Sequence, residues 1–273
     1  DVAPSRGLGD VYKRQIKRMV VKVGSSTLTH SGGGLNFQRI DALAMVLSDI
    51  KNSGLDIVLV SSGAVAAGVA KMQMRKRPEL MREKQAAASV GQCELMFIYD
   101  KFFSQYGQSI AQLLITKTVT KNEMLRENAV NTLETLLEYG VIPIVNENDS
   151  VAVDEIAYGD NDTLSAVTAY LTNADLLVLL SDIDGLYEDD PVKNKNAKLI
   201  PVVNSIDESI FNMAKGAGSS RGTGGMVTKI SAAQFANEHG IPMIIANGKK
   251  PSILYDILRD EYRGTLFDTK EEV

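Results

Sequence analysis

The sequence predicts an α/β protein built on a mainly parallel sheet. Short apolar runs alternate along the chain with segments of helical periodicity, which is clearest over residues 37–51. Two early apolar runs, residues 19–23 and 57–60, each end in glycine and hydroxyl residues that lead into a helix. Strand, glycine turn and helix repeated in this order indicate parallel βαβ units. Because ligands of such sheets bind beyond the carboxyl ends of the strands, we look for a site there.

Composition excludes several classes of protein. A chain of 273 residues is long enough for one large domain or two small ones. The net charge of −5 gives no basic footprint for nucleic acid, and no apolar run is long enough to predict a membrane span. Cys93 is the only cysteine, so an intrachain disulfide is impossible and a reducing cytoplasm is the expected setting. His30 and His239 lack the spacing of metal ligands, so we predict no histidine-based metal site.

The other segments continue the same alternation. Residues 1–15 show no periodicity and are expected to be a disordered or artificial extension, which leaves 16–273 as the folded domain. We predict a loop over 189–198 and a tail at 264–267. Further strands are predicted at 109–115, 141–145, 176–180 and 242–246, and further helices at 84–106, 122–139, 163–172, 226–239 and 252–258.

A polar cluster follows the predicted strand 141–145. It consists of Asn-Glu-Asn-Asp at 146–149 and Gly-Asp-Asn-Asp at 159–162. Amides beside carboxylates suit a small zwitterion, because they can hydrogen-bond its carboxylates and its ammonium group separately. The alternative is a pair of turns, since Asn, Asp and Gly are common turn residues. We favour a binding site because a turn does not need two such clusters in close succession.

Lys22 is a single cation in the apolar run 19–23, which is followed by Gly24 and Ser25. Glycine lets backbone N–H groups approach a phosphate, and hydroxyl groups add donors. Burying an ammonium group without an anionic partner is costly, so Lys22 either holds a phosphate or reaches solvent at the strand end. The local sequence does not decide between these two interpretations.

The strongest local phosphate signal is the segment 216–225. It contains five glycines and precedes a predicted helix that carries Lys229. Flexible glycines, a helix N-terminus and a lysine together favour phosphate binding. An untethered surface loop is the alternative. Residues 61–68 form a second small-residue turn into a helix.

This set of residues fits phosphoryl transfer to a carboxylate. The sequence contains no G-x-x-x-x-G-K-[ST] motif and no G-x-G-x-x-G after the first strand, which argues against a P-loop protein and a dinucleotide-dependent oxidoreductase. An ionised carboxylate is already a nucleophile and needs no general base. The difficulty is repulsion between this carboxylate and the γ-phosphoryl group, which lysines and Mg²⁺ must offset.

An ordered set of motifs resembles the amino acid kinase family, and within it the members that phosphorylate glutamate. Each motif alone is modest, but together they cover nearly all of residues 18–267 in family order. They are V-V-K-V-G-S-S-T-L at 20–28, V-S-S-G-A-V-A-A-G at 60–68, K-Q-A-A-A-S-V-G-Q at 84–92, I-V-N-E-N-D-S-V-A at 144–152, G-D-N-D-T-L-S-A at 159–166, L-L-S-D-I-D-G-L-Y at 179–187 and G-T-G-G-M-V-T-K at 222–229. The resemblance implies a three-layer αβα sandwich with a mainly parallel central sheet. A lobe at about 16–175 would bind glutamate, and a lobe at about 176–268 would bind ATP.

The resemblance also implies roles for individual residues. Lys22 and Lys229 would be catalytic and hold the transferring phosphoryl group, and Asp162 would orient both. Asp149 would bind the α-ammonium group of glutamate, and Asn161 would lie on the acceptor side. The other substrate-binding residues would be Ser62, Gly63, Ala64, Asn146 and Asn148. The ATP site would be lined by Lys22, Gly24, Ser25, Ser181, Asp182, Thr223, Gly224, Gly225, Met226, Val227, Thr228 and Lys229.

The implied reaction is ATP- and Mg²⁺-dependent phosphorylation of the L-glutamate γ-carboxylate to L-glutamyl 5-phosphate, the first step of proline synthesis. The family also implies a cytoplasmic homo-oligomer, a dimer or tetramer, with functional coupling to glutamate-5-semialdehyde dehydrogenase. Many bacterial members continue into a PUA domain, and we expect a form without it. The alternatives are a member of the acetylglutamate kinase or aspartokinase type, a non-enzymatic binding protein of the same fold, and an oxidoreductase.

Overall fold

The computed structural model describes residues 16–30, 33–116, 118–151, 161–216 and 225–269. The strands are β1 (Arg18–Val23), β2 (Asp56–Ser61), β3 (Ile110–Ile115), β4 (Ile142–Glu147), β5 (Leu176–Ser181), β6 (Val202–Val203), β7 (Met243–Asn247) and β8 (Gly264–Phe267). The helices are α1 (Ser25–Leu28), α2 (Phe37–Asn52), α3 (Ala64–Lys71), α4 (Met81–Gln105), α5 (Thr118–Lys121), α6 (Glu123–Glu138), α7 (Asn161–Leu171), α8 (Glu208–Gly216), α9 (Met226–Glu238) and α10 (Ile253–Arg259).

The strands form one sheet in the order β3-β4-β2-β1-β5-β7-β8-β6. β1 pairs in parallel with β2 on one side and with β5 on the other. The chain therefore leaves β1 toward one edge of the sheet first and later continues toward the other, and such a reversal opens a crevice at the carboxyl ends of the strands. β8 runs antiparallel to β7 and parallel to β6. The predicted mainly parallel sheet is confirmed.

Helices cover both faces of this sheet. Successive strand residues point to opposite faces, so Val20 packs with α7 and α9 while Val21 packs with α2 and α4. Burial on both faces explains why the strands are apolar at nearly every position. The predicted three-layer αβα sandwich is confirmed. No helix in the described part of the chain is both long and apolar enough to cross a membrane.

Most predicted elements are present, with ends that shift by a few residues, and residues 189–198 contain neither helix nor strand. Residues 264–267, expected only to be a tail, form β8, a strand that the sequence analysis missed. This strand is only four residues long and is held by pairing with β7 and β6, partners that lie earlier in the chain. The short elements α5, β6 and α8 were not predicted. The predicted extension at 1–15, residues 159–160 of the polar cluster and most of the glycine-rich segment lie outside the described residues.

Candidate active site

Lys22, Asp162 and Lys229 meet at the carboxyl edge of the sheet. The side-chain alternation of β1 places Lys22 on the same face as Val20, beneath α7 and α9. Asp162 lies in the first turn of α7, and Lys229 lies in the first turn of α9. The Lys22 Nζ is 2.5 Å from Asp162 Oδ1, and the Lys229 Nζ is 2.8 Å from Asp162 Oδ2. Asp162 is fully buried and each lysine is 8% exposed.

Asp162 is held as a carboxylate by its two neighbours. Burial alone would raise the pKa of Asp162, but the charges and hydrogen bonds of Lys22 and Lys229 outweigh it and hold the pKa well below its usual range. Thr228 Oγ1 also donates to Asp162 Oδ2, at 3.0 Å. Among the residues that the structure describes, the cluster thus brings two ammonium groups onto one carboxylate at the ligand-binding edge of the sheet.

Several helices begin around this cluster. Gly24 is the N-cap of α1, and a Cβ built on it would lie 3.9 Å from the Nζ of Lys22. Gly63 is the N-cap of α3 with a φ of 105°, a conformation that favours glycine. Gly225 is the N-cap of α9. Because helix N-termini carry partial positive charge and unsatisfied N–H groups, they add to the attraction for anionic oxygens.

Neutral amides lie beside the charged cluster. Asn161, next to Asp162 at the start of α7, donates through Nδ2 toward Ser61 O at 2.7 Å, Asn146 Oδ1 at 2.8 Å and Ser62 Oγ at 3.1 Å. Asn146 is on β4, and Ser61 and Ser62 are at the end of β2. The structure thus brings Ser62, Asn146 and Asn161 together from three separate elements.

The other residues predicted for the substrate side lie close along the chain. Gly63 and Ala64 begin α3, directly after Ser62. Asn148 and Asp149 follow β4, and a turn begins at Asp149. The N–H of Asn148 donates to Ile115 O at 3.1 Å, which ties this segment to the end of β3. The 146–149 cluster therefore contains both a site-facing amide and a turn, the two interpretations that its sequence allowed.

The residues predicted for the nucleotide side differ in location: some lie at the strand end, some are packed in the core, and some lie outside the described residues. Ser181 ends β5, and its hydroxyl donates to Asp182 Oδ1 at 3.3 Å. The side chain of Met226 is buried in the core, so only its backbone can face a ligand. Val227 packs partly against the same core. Thr223 and Gly224 lie outside the described residues.

Sequence reasoning missed Gln92. This residue is in α4, is 8% exposed, and accepts from Asn146 Nδ2 at 2.8 Å. It ends the K-Q-A-A-A-S-V-G-Q motif, to which the sequence assigned no role. Its contact with Asn146 joins positions 54 residues apart. Within the described ranges, no group of three His, Cys, Asp or Glu side chains could hold a metal ion.

Comparison with known proteins identifies the class. A sequence profile described as the amino acid kinase family matches residues 17–247. The chain belongs to the amino acid kinase family.

Individual relatives within the family match the chain at high identity, and two of them are glutamate 5-kinases. The chain is 54% identical over 259 residues to glutamate 5-kinase of Clostridium perfringens, which covers 93% of this chain and 96% of that protein. It is 52% identical over 261 residues to glutamate 5-kinase of Clostridium acetobutylicum, covering 96% of this chain and 98% of that protein.

Solved structures share the fold at much lower identity. Carbamate kinase from Giardia lamblia bound to AMP-PNP has a TM-score of 0.67 and 17% identity, covering 94% of this chain and 99% of that chain. UMP kinase from Ureaplasma parvum has a TM-score of 0.63 and 16% identity, covering 93% of this chain and 99% of that chain. These likenesses concern the fold alone.

Proposed function

We propose that this chain transfers the γ-phosphoryl group of ATP to the γ-carboxylate of L-glutamate, giving ADP and L-glutamyl 5-phosphate. The observation that carries the proposal is the contact of Lys22 and Lys229 with buried Asp162 at the carboxyl edge of the sheet. The choice of glutamate is supported by relatives at 54% and 52% identity that are glutamate 5-kinases.

In the proposed mechanism, a γ-carboxylate oxygen of glutamate forms a bond to the γ-phosphorus while the bond to the β,γ-bridging oxygen breaks. The carboxylate enters ionised, so no proton has to be removed. Lys22 and Lys229 offset the negative charge of the transferring group, and Asp162 fixes the direction of both ammonium groups. Catalysis is then alignment and electrostatic stabilisation, as in other phosphoryl transfers.

On the substrate side, neutral and acidic groups have separate tasks. Asp149 would pair with the α-ammonium group of glutamate. The N–H groups at the start of α3, from Gly63 and Ala64, suit a carboxylate because of their position at a helix N-terminus. The remaining contacts are proposed for Ser62, Asn146, Asn148 and Asn161.

On the nucleotide side, the backbone of Gly24 and Ser25 would donate to phosphate oxygens next to Lys22. Mg²⁺ would enter with ATP, because this ion keeps phosphate oxygens and water as most of its ligands. The residues around the rest of the nucleotide would be Ser181, Asp182, Thr223, Gly224, Gly225, Met226, Val227, Thr228 and Lys229. Residues 16–175 would form the glutamate lobe and 176–268 the ATP lobe.

The product is an acyl phosphate and is prone to hydrolysis. We therefore include in the proposal a cytoplasmic setting and functional coupling to glutamate-5-semialdehyde dehydrogenase, which would place this step first in proline synthesis. A homo-oligomer, a dimer or tetramer, is proposed as well. Exposed apolar side chains such as Phe97 (65%) and Met124 (64%) favour an assembly, and sedimentation would measure its size.

The proposal is tested with a substrate panel. L-Glutamate, N-acetyl-L-glutamate and L-aspartate are each incubated with ATP, Mg²⁺ and hydroxylamine, which traps the acyl phosphate as a hydroxamate. We expect kcat/KM for L-glutamate to exceed the others by about 10²-fold or more, because acetylation removes the ammonium charge and aspartate is one methylene shorter. Strong turnover of N-acetyl-L-glutamate or aspartate with none of glutamate would overturn the proposal.

A further inference from the structure

Three side-chain amides, of which two are buried and that of Asn161 is half-buried, form a continuous chain of hydrogen bonds beside the charged cluster. Asn161 Nδ2 donates to Asn146 Oδ1 at 2.8 Å, and Asn146 Nδ2 donates to Gln92 Oε1 at 2.8 Å. We call these three residues the amide relay. The relay connects α4, β4 and α7, and it ends on the residue that precedes Asp162.

Backbone groups fix the direction of every amide in the relay. The N–H of Glu147 donates to Asn146 at 2.9 Å, so that atom of Asn146 is the oxygen. The carbonyl of Ser61 accepts from Asn161 at 2.7 Å, so that atom of Asn161 is the nitrogen. It follows that Asn146 turns its nitrogen toward Gln92, and that Gln92 accepts this hydrogen bond with its oxygen.

The fixed direction determines what the relay can offer to an amino acid. Asn161 Nδ2 carries two hydrogens but lies within hydrogen-bonding distance of three acceptors, so none is left for a ligand. Its Oδ1 is the remaining polar atom, and it suits an ammonium group rather than a carboxylate. Ser62 Oγ lies 3.1 Å from this same nitrogen, which can only donate, so the hydroxyl hydrogen of Ser62 points elsewhere and is available to a carboxylate oxygen.

The structure also indicates that Gln92 contributes little to the stability of the fold. Its Nε2 is buried and has no hydrogen-bond partner among the residues that the structure describes. A buried amide donor without an acceptor costs free energy, which offsets the bond made by the oxygen. A glutamine that gains so little for the fold is best explained by the orientation that it imposes on Asn146.

Close helix packing holds Gln92 in place. A Cβ built on the preceding residue, Gly91, would lie 1.8 Å from Ala64 O, and one on Gly68 would lie 1.8 Å from Ala87 O. The backbones of α3 and α4 are therefore in direct contact, which only glycine permits at these positions. The same contact places α4 against Ala64 at the start of α3, on the proposed substrate side.

We propose that Gln92 is a positioning residue for amino-acid binding. Through Asn146 it orients Asn161 Oδ1 toward the ammonium group of the substrate and Ser62 Oγ toward a carboxylate. This inference rests on the proposed function and adds a determinant of glutamate affinity to it. Gln92 acts on KM for the amino acid, whereas Lys22 and Lys229 act on the transfer step.

The test is Gln92→Met, which keeps the volume of the side chain and removes its oxygen. We expect the KM for glutamate to rise about tenfold, which corresponds to the loss of about 1.4 kcal/mol of binding free energy. The KM for ATP and kcat should change by less than about twofold, since neither depends on one neutral hydrogen bond in the relay. Gln105→Met, a change on the exposed end of the same helix, should alter none of these values.

Two further variants separate positioning from a merely structural role. Gln92→Glu keeps an oxygen acceptor and should restore KM to within about threefold of the parent value. In an Asn161→Ala background, Gln92→Met should raise the KM for glutamate by less than about a further twofold, because its effect passes through Asn161. If Gln92→Met does not fold, Gln92→Asn, whose shorter side chain cannot reach Asn146, takes its place.

An unchanged glutamate KM in Gln92→Met, or a full tenfold effect in the Asn161→Ala background, would overturn the inference. Failure of the parent protein to phosphorylate glutamate is a different result, because it would overturn the proposed function instead.

Discussion

Two clusters of three charged side chains lie at opposite ends of β1 and have opposite compositions. At the amino end, Arg18 lies between Asp56 at 3.1 Å and Glu134 at 2.6 Å. At the carboxyl end, the carboxylate of Asp162 lies between the ammonium groups of Lys22 and Lys229. Counting only the residues that the structure describes, the first cluster is one cation with two anions, and the second is one anion with two cations.

The clusters also differ in burial. The side chains of Asp56 and Glu134 are 38% and 36% exposed, whereas that of Asp162 is fully buried. Solvent and the backbone carbonyl of Thr172, to which Arg18 donates, complete the amino-end cluster. The carboxyl-end cluster lies at the N-termini of α7 and α9. Ion pairing alone therefore does not mark a site, whereas buried ionised side chains at the ligand-binding edge of the sheet do.

The largest effect that would sharpen this comparison is the loss of a lysine from the carboxyl-end cluster. Lys22→Met or Lys229→Met should lower kcat about 10²–10³-fold, because a cation aimed at the transferring group is removed from a buried site. The matched control is Lys71→Met, which breaks a 2.9 Å ion pair with Glu94 on the surface. Initial-rate kinetics should show an unchanged kcat in the control. An equal loss of kcat in Lys71→Met would contradict a special role for the two buried lysines.

A smaller but separate effect is expected from Asp162→Asn. This change leaves two ammonium groups without their shared counter-charge, so the free energy of unfolding should fall by about 3 kcal/mol. Because the pKa of Asp162 is lowered by folding, its contribution is complete above the unfolded pKa of about 3.9 and is lost as pH falls toward the folded value. The stability of the parent protein should therefore fall more steeply than that of the variant below about pH 4, as measured by urea unfolding. Parallel curves would contradict this assignment.

The smallest effect is expected at the amino end of β1. Arg18→Met removes hydrogen bonds to the partly solvated carboxylates of Asp56 and Glu134 and to the carbonyl of buried Thr172, and should lower the free energy of unfolding by about 1–2 kcal/mol. Values of kcat and KM should remain within about twofold of the parent, since Arg18 lies at the opposite end of β1 from the site. A large drop in kcat with an intact fold would show that the two clusters are coupled.

The sequence predicted the sheet and its helices because these depend on local periodicity. It could not decide the role of Lys22, whose anionic partner is 140 residues away. The resemblance to a family brought Lys22, Asp162 and Lys229 into one hypothesis, and the structure places them in contact. β8 and the contact of Gln92 with Asn146 were missed for the same physical reason. Each depends on partners far away along the chain, and neither produces a periodic pattern of apolar residues in the sequence.

The central claim is that Lys22 and Lys229 act together on the transferring phosphoryl group across Asp162. A crystal structure with L-glutamate, Mg²⁺ and a non-hydrolysable ATP analogue would test it most directly. The account predicts both Nζ atoms within about 3 Å of γ-phosphoryl oxygens, with the glutamate γ-carboxylate on the opposite side from the leaving oxygen. A γ-phosphoryl group bound away from either lysine would contradict it.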